Sequence, residues 1–303
     1  MGVVNVTPDS FSDGGRYLDA SAALAHARAL VAEGADWVDV GGESTRPRAE
    51  PVTVAEERRR VLPVIEALAA EGVAVSVDTR KAAVAEAAVA AGARMVNDVS
   101  ASLAGVAAAT GAAFVAMHMQ GDPATMQDAP RYHDVVAEVR DYLVARADAA
   151  VAAGVAEVWI DPGIGFGKAL DHNLALLAHL DALVATGYPV LVGISRKAML
   201  GTLAARAAGG GAAGAGTRAA ARAAGGAAGA TGADPPPSDR LEGSLATAVW
   251  ARLAGVGMVR VHDVAATRRA LAAVEVVAAP AAESERDGGE RAVAALKGKW
   301  AQG

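Results

Sequence analysis

Cysteine is absent from all 303 residues, which excludes disulfide scaffolds and thiolate metal centres together. Aromatic side chains are scarce at 4%, so the 53% hydrophobic content rests largely on Ala and Val, and it is still ample for a sizeable core. No basic stripe appears and the formal net charge is −6, which argues against a nucleic-acid footprint. An acidic chain can nevertheless hold an anion where a few Arg and Lys converge in one cleft. Long apolar runs are also missing. A membrane span needs roughly eighteen or more consecutive apolar residues, and the longest uncharged stretch, Val99–Met117, is interrupted by Ser100, Ser102 and Thr110. No apolar targeting core opens the chain, because Asn5 and Thr7 come too early. A cytoplasmic protein without a membrane or nucleic-acid partner is the expectation.

What is present is an alternation. Short Val- and Ile-rich runs at Gly2–Val6, Trp37–Val40, Ala74–Val77, Met95–Asn97, Ala113–Met117, Val158–Ile160, Val190–Val192 and Met258–Val261 read as strands. Between them lie Ala-rich helical patterns at Ala20–Glu33, Val54–Ala70, Lys81–Ala91, Leu103–Thr110, Tyr132–Ala153, Asn173–Ala185, Arg240–Leu253 and Val264–Val277. The count predicts an α/β protein of the (β/α)₈ TIM-barrel type over residues 1–279, with a doubly wound open sheet as the competitor. Two segments fall outside that plan. Apart from Arg206, Thr217, Arg218, Arg222 and Thr231, every residue from Ala204 to Ala233 is Ala or Gly, and Pro235–Pro237 follows. Residues 204–238 are therefore read as a low-complexity, disordered insert between strands seven and eight. Residues 280–303 are read as a C-terminal tail.

In a barrel the chemistry sits at the C-terminal rim of the strands. Strand one ends in Asn5 and opens into a loop rich in hydrogen-bonding groups, Thr7–Gly15. The later strands deliver Asp39-Val-Gly-Gly-Glu-Ser-Thr-Arg-Pro47, Asp78-Thr-Arg80, Asn97-Asp98, His118, Asp161-Pro-Gly-Ile-Gly-Phe-Gly-Lys168, Ser195-Arg-Lys197 and Arg260-Val-His-Asp263. Polar residues at one strand end mean little, but polar residues at all eight are hard to assign to solvation alone. Asp78, Asn97 and Asp161 offer acceptors and an amide fork, and Lys197 adds a donor. Together they suit a polar heteroaromatic ligand with several ring N–H groups. Arg260 and His262, two apart on one strand, share a face and suit an anion. The sequence leaves His118 open between a structural and a ligand-facing role. The glycine-rich turns fit neither the P-loop nor the dinucleotide-binding spacing.

These motifs, together with the opening stretch Asn5-Val-Thr-Pro-Asp-Ser-Phe-Ser-Asp-Gly-Gly15, resemble dihydropteroate synthase from Met1 to about Val277. The resemblance implies a (β/α)₈ barrel that joins 4-aminobenzoate to a dihydropterin diphosphate, is inhibited by sulfonamides, and acts as a homodimer. It also assigns roles. Asn5 would hold Mg²⁺ with the diphosphate, near Arg260 and His262. Asp78, Asn97, Asp161 and Lys197 would read the pterin. Asp13 would stabilise a cationic pterin methylene, with Arg46 contacting the departing diphosphate. Thr45, Pro47, Phe166 and Ser195 would form the aminobenzoate pocket. Asp13, Arg46 and Lys197 are the charged groups expected closest to the reacting atoms. Departures exist: Arg48 stands where a glycine is usual, Ala101-Ser102 replaces a paired glycine, and the residues usually found ahead of strand one are not in this sequence. Two other readings share the pterin acceptors, a methyl-carrier module of a corrinoid methyltransferase and an inactive pterin-binding paralogue. The first would not need the Asn5–Phe11 or Ser44–Pro47 motifs. The second would be expected to lack part of the matched set.

Overall fold

The computed structural model describes residues 1–7, 16–45, 50–123, 125–209 and 240–278. In chain order its elements are β1 (Gly2–Asn5), α1 (Arg16–Ala32), β2 (Val38–Gly41), α2 (Val54–Ala70), β3 (Val75–Asp78), α3 (Ala82–Ala90), β4 (Met95–Asp98), α4 (Ala104–Thr110) and β5 (Ala113–Met117). There follow α5 (Val135–Ala152), β6 (Val158–Asp161), α6 (Leu170–Ala178), α7 (Leu180–Val184), β7 (Leu191–Gly193), α8 (Ala198–Gly209), α9 (Leu241–Leu253), β8 (Met258–Arg260) and α10 (Val264–Ala278).

The strands from β1 to β6 pair in chain order, and β7 pairs with β8, all in parallel. Bridges between Ile160 and Val190 and between Gly2 and Val261 join the two sheets on both sides, so the ring is closed. At the closing seam the Val3 amide donates to the Val261 carbonyl at 3.1 Å, and the Val261 amide donates to the Met1 carbonyl at 2.9 Å. Closure leaves no sheet edge and decides for the barrel over the open sheet.

Strands buried on both faces read as unbroken apolar runs, yet the two faces do different work here. Side chains alternate along a strand. Val4, Val38, Val40, Val75, Val77, Val96, Phe114, Ile160 and Val192 point outward and pack with the helices in one continuous core. The opposite phase fills the lumen. Met1, Met95, Ala113, Val115 and Leu191 form a second cluster there, backed by Trp37, Trp159 and Met258 at the N-terminal end of the barrel. Above this apolar plug the same inward phase carries polar residues to the rim.

Local chemistry starts the helices. Thr53 caps α2, its hydroxyl accepting from the Glu56 amide at 3.2 Å, and Asp134 caps α5 through the amides of Val136 and Ala137. Asp98, fully buried on the outward phase of β4, accepts from the amides of Ser100, Ser102 and Leu103 and so leads the chain into α4.

The structure revises two expectations. The helix predicted over Asn173–Ala185 is two, broken at His179 where the backbone leaves helical geometry (φ −120°, ψ 35°). The insert begins later than read from composition, because α8 runs through Ala204 to Gly209. Alanine has the highest helix propensity, which suits the Ala-rich start of the insert to a helix. The rest of the insert and the tail lie outside the described residues.

Phe114 is the bulkiest fully buried side chain. Phe114→Ala is expected to cost about 3–5 kcal/mol of stability, measured by urea unfolding; a loss under about 1 kcal/mol would mean that β5 does not anchor the outer core.

Candidate active site

The rim is built by register. Asn5 pairs with Gly41, Gly41 with Asp78 and Asp78 with Asn97, so the ends of four adjacent strands lie side by side. The missing side chain at Gly41 opens the middle of this row. A Cβ there would sit 3.6 Å from Asn5 Oδ1 and 3.7 Å from Asp78 Oδ2. Across the lumen, Arg260 Nε donates to Asp39 Oδ2 at 2.6 Å and Arg260 Nη2 donates to Asp78 Oδ2 at 2.8 Å. Asn97 Nδ2 also donates to Asp39 Oδ2, at 3.0 Å. Burial opposes the charge of Arg260, but the carboxylates of Asp39 and Asp78 outweigh it and raise its pKa. Asp78 moves the other way. Burial pushes it up to about 7, and the Arg260 charge holds back only part of that rise. The sequence grouped Arg260 with His262 as an anion pair; the structure also makes it the counter-ion of Asp39 and Asp78.

The loop after β6 forms the next wall. Asp161 Oδ1 accepts from the Gly163 amide at 2.7 Å. Burial raises the pKa of Asp161, against the charge of Lys197. Gly163 has φ +63°, and a Cβ on it would meet the His118 carbonyl oxygen at 2.0 Å, so only glycine fits. Under this loop lies Lys168, 2% exposed. Its ammonium donates to the carbonyls of His118, Gly163 and Phe166 at 3.2, 3.0 and 2.9 Å and lies 2.9 Å from His118 Nδ1. Burial brings Lys168 down to about 7. Burial, and then the Lys168 charge, bring His118 to about 3. Both effects favour the neutral His118 ring, which packs edge-on against Tyr142 at 5.0 Å.

Lys197, entering from the loop after β7, donates to the Ile164 carbonyl and lies 4.7 Å above the centre of the Phe166 ring. Burial lowers it to about 8, and a cation over an aromatic face is a favourable placement. Phe166 thus sits directly under Lys197. Ser195 is buried and joins His262. Its Oγ accepts from the His262 amide at 3.1 Å and lies 3.1 Å from His262 Nδ1. Beside them Arg196, at φ 59°, clamps Asp263 with Nε and Nη2 at 2.9 and 2.5 Å. The β7 and β8 loops are tied together by that pair.

Thr45 borders a cleft with Glu43, Arg80 and Asp122 between the loops after β2 and β5. The base of its loop is held by charge. Lys81 Nζ sits between Glu43 Oε2 and Glu57 Oε2, Arg80 Nε donates to Glu43 Oε1 at 3.1 Å, and Thr79 Oγ1 donates to Glu57 Oε1 at 2.6 Å. Gly42 must be glycine for a second reason, close approach: a Cβ would lie 2.8 Å from Val61 Cγ1 on α2.

Asn5, Asp78, Asn97, Asp161, Phe166, Ser195, Lys197, Arg260 and His262 thus all reach one rim, with Thr45 on an adjoining loop. Asp13, Arg46 and Pro47, like Arg48, lie outside the described residues. Sequence reasoning passed over Asp39, the Glu43–Lys81–Glu57 bridge and Lys168 as parts of the site. Asp39 was legible, since it shares the inward phase of β2 with Trp37 and Gly41. The other two depend on contacts across the fold.

The family described as "Pterin binding enzyme" matches residues 1–262. The dihydropteroate synthase of Mycobacterium leprae (strain TN) is 47% identical over 282 residues, spanning 90% of this chain and 91% of its own. The chain belongs to the dihydropteroate synthase family. Among solved members of the family, Xanthomonas albilineans dihydropteroate synthase with 4-aminobenzoic acid matches with a TM-score of 0.78 and 46% identity, covering 92% of each chain. The Thermus thermophilus enzyme in complex with 6HMPPP matches with a TM-score of 0.72 and 43% identity, covering 91% of this chain and 93% of that one.

Glu43 supplies a pH-dependent check on the loop anchor. Burial alone would raise its pKa, but hydrogen bonds from Lys81 and the Val52 amide hold it below the ordinary value of 4.5. A depressed carboxylate contributes stability that is present above its unfolded pKa and lost as pH falls through the folded one. Lys81→Met is expected to cost about 1–3 kcal/mol at neutral pH, less than a fully buried pair because Lys81 is partly exposed. It should also flatten the fall in Tm as pH drops below 4.5. Equal slopes in parent and variant would remove Lys81 as the partner of Glu43.

Proposed function

We propose that this chain condenses 6-hydroxymethyl-7,8-dihydropterin diphosphate with 4-aminobenzoate, giving 7,8-dihydropteroate and diphosphate in folate biosynthesis. The bond from the pterin methylene to the diphosphate oxygen breaks, a bond from the same carbon to the aminobenzoate nitrogen forms, and that nitrogen loses a proton. The observation that carries this reading is the convergence of Asp78, Asn97, Asp161 and Lys197 with Arg260 and His262 on one rim. Three acceptors and an ammonium match a pterin ring, and the guanidinium and imidazole match its diphosphate.

In this reading Asp78 and Asp161 accept ring N–H donors, Asn97 adds its amide, and Lys197 donates from over Phe166. Arg260 spans the two parts of the substrate, since it is already paired with Asp78. Such a site works by orientation and by charge placed in advance, with no covalent intermediate. Excluding water protects a cationic methylene from hydrolysis. Asp13 would stabilise that cation, and Arg46 would meet the departing diphosphate. Thr45 and Pro47, with Phe166 and Ser195 at the edges, would bound the aminobenzoate, where sulfonamides would compete.

Mg²⁺ belongs to this reading through Asn5. Among the described residues no group of three His, Asp or Glu is placed to hold a metal ion. A hard cation commonly binds through substrate phosphate oxygens and one or two protein oxygens. The Asn5 carboxamide, at the end of β1 and beside Asp78, fits that use. When bound, Mg²⁺ would neutralise charge on the leaving diphosphate.

Among the described residues no helix is long and apolar enough to cross a membrane, and a cytoplasmic setting is part of the proposal. So is a homodimer.

Three measurements test these statements. The purified chain with both substrates and Mg²⁺ should release pyrophosphate and form dihydropteroate, and EDTA should suppress the reaction. Arg260→Ala and Lys197→Ala should each weaken pterin diphosphate binding about tenfold or more. No product from the parent would sink the synthase reading, and unchanged affinity would remove those two residues from the site. Sedimentation should give twice the 30.2 kDa chain mass; a monomer at micromolar concentration would overturn the dimer.

A further inference from the structure

Asp39 is fully buried in the lumen, one layer below the rim. It cannot meet a ligand, yet it touches two residues that face one. Both contacts fall on the same oxygen, Oδ2, which accepts from Arg260 Nε at 2.6 Å and from Asn97 Nδ2 at 3.0 Å. We propose that Asp39 is a positioning residue that sets the donor and acceptor order of the substrate site by orienting Asn97 and Arg260 from beneath.

The chemistry follows from what a carboxylate can do. It accepts hydrogen bonds and does not donate them. Asn97 must therefore turn its amide nitrogen toward Asp39. Its carbonyl oxygen is then the acceptor that Asp39 does not engage. Without that restraint the carboxamide could rotate by half a turn and exchange its donor and acceptor edges. Arg260 is constrained in the same way. Nε is held by Asp39 and Nη2 by Asp78, so the guanidinium plane is pinned on two sides, and among the described residues Nη1 is the nitrogen without a carboxylate. One carboxylate oxygen thus keeps the amide that reads the ring and the cation that meets the anion at a set spacing. Because β2 is paired on both flanks, to β1 and β3, the oxygen itself sits on a rigid element.

This inference rests on the synthase reading for the identity of the ligand. A charge-balancing role alone would predict a different result, namely lost stability with both substrates affected alike. The test is Asp39→Asn, which keeps volume but removes the charge and allows either amide orientation. Binding of pterin diphosphate is read directly by calorimetry, and the KM for each substrate by steady-state kinetics. We expect the dissociation constant of pterin diphosphate to rise about tenfold or more, as for a misplaced contact group, while the KM for 4-aminobenzoate stays within about threefold. A folded variant whose pterin affinity is within about threefold of the parent would overturn the proposal, as would an equal rise for both substrates. Failure of the parent to turn over would instead count against the synthase reading, since binding is measured separately.

Should Asp39→Asn not fold, a second comparison decides. Asn97→Asp alone sets two carboxylates against each other. Adding Asp39→Asn restores a donor–acceptor pair with position 97, its polarity reversed, while the contact with Arg260 Nε on the same atom stays broken. The double variant should bind pterin diphosphate about tenfold or more tightly than Asn97→Asp alone, a coupling of the size expected for touching residues. No recovery would overturn the proposal.

Discussion

Three aspartates face the lumen of this barrel near its rim, Asp39, Asp78 and Asp161, and so many carboxylates cannot be buried together unless cations accompany them. Arg260 and Lys197 meet that requirement from the opposite side of the ring. Arg260 bonds to two of the three, and Lys197 is the leading counter-charge of the third. The folding problem and the recognition problem are thus the same problem. The groups that keep the lumen electrically tolerable are those a pterin diphosphate would meet. The balance is incomplete, because burial still raises Asp78 to about 7 and lowers Lys197 to about 8. A ligand offering ring donors and an anionic tail would complete it.

Around that charged layer the barrel divides its tasks by height. The apolar plug of Met1, Met95, Val115 and Leu191 closes the lower lumen and keeps water from below. The rim loops are then tied in pairs. Arg196 and Asp263 join the β7 and β8 loops, Lys168 gathers the carbonyls of the β5 and β6 loops, and Lys81 bridges the β2 loop to α2. Each tie uses a buried or half-buried charge with several partners, the arrangement in which ion pairs hold geometry well. Lys168 and Lys81 meet no ligand in this scheme. They hold the loops that do.

Much of the fold was readable along the chain. Strand positions came from apolar runs, and α2 falls on the predicted Val54–Ala70. The failures are physical. Composition marked Ala204 as the start of a disordered insert, while alanine's own helix propensity carries α8 on to Gly209. The break at His179 lies inside an apolar pattern that looks continuous. The partner of His118, Lys168, lies fifty positions away in sequence, and no local pattern announces it.

The sequence by itself determined which residues share the lumen, because side-chain direction in a strand has a period of two and each motif begins on an inward position. Asn5, Asp78, Asn97, Asp161 and Arg260 follow from that rule. Only the tertiary structure decided which of them touch. Asp39 and Arg260 are 221 positions apart and meet only because the ring closes between β8 and β1. That closure made Asp39 the shared support of Asn97 and Arg260, and no spacing along the chain encodes it.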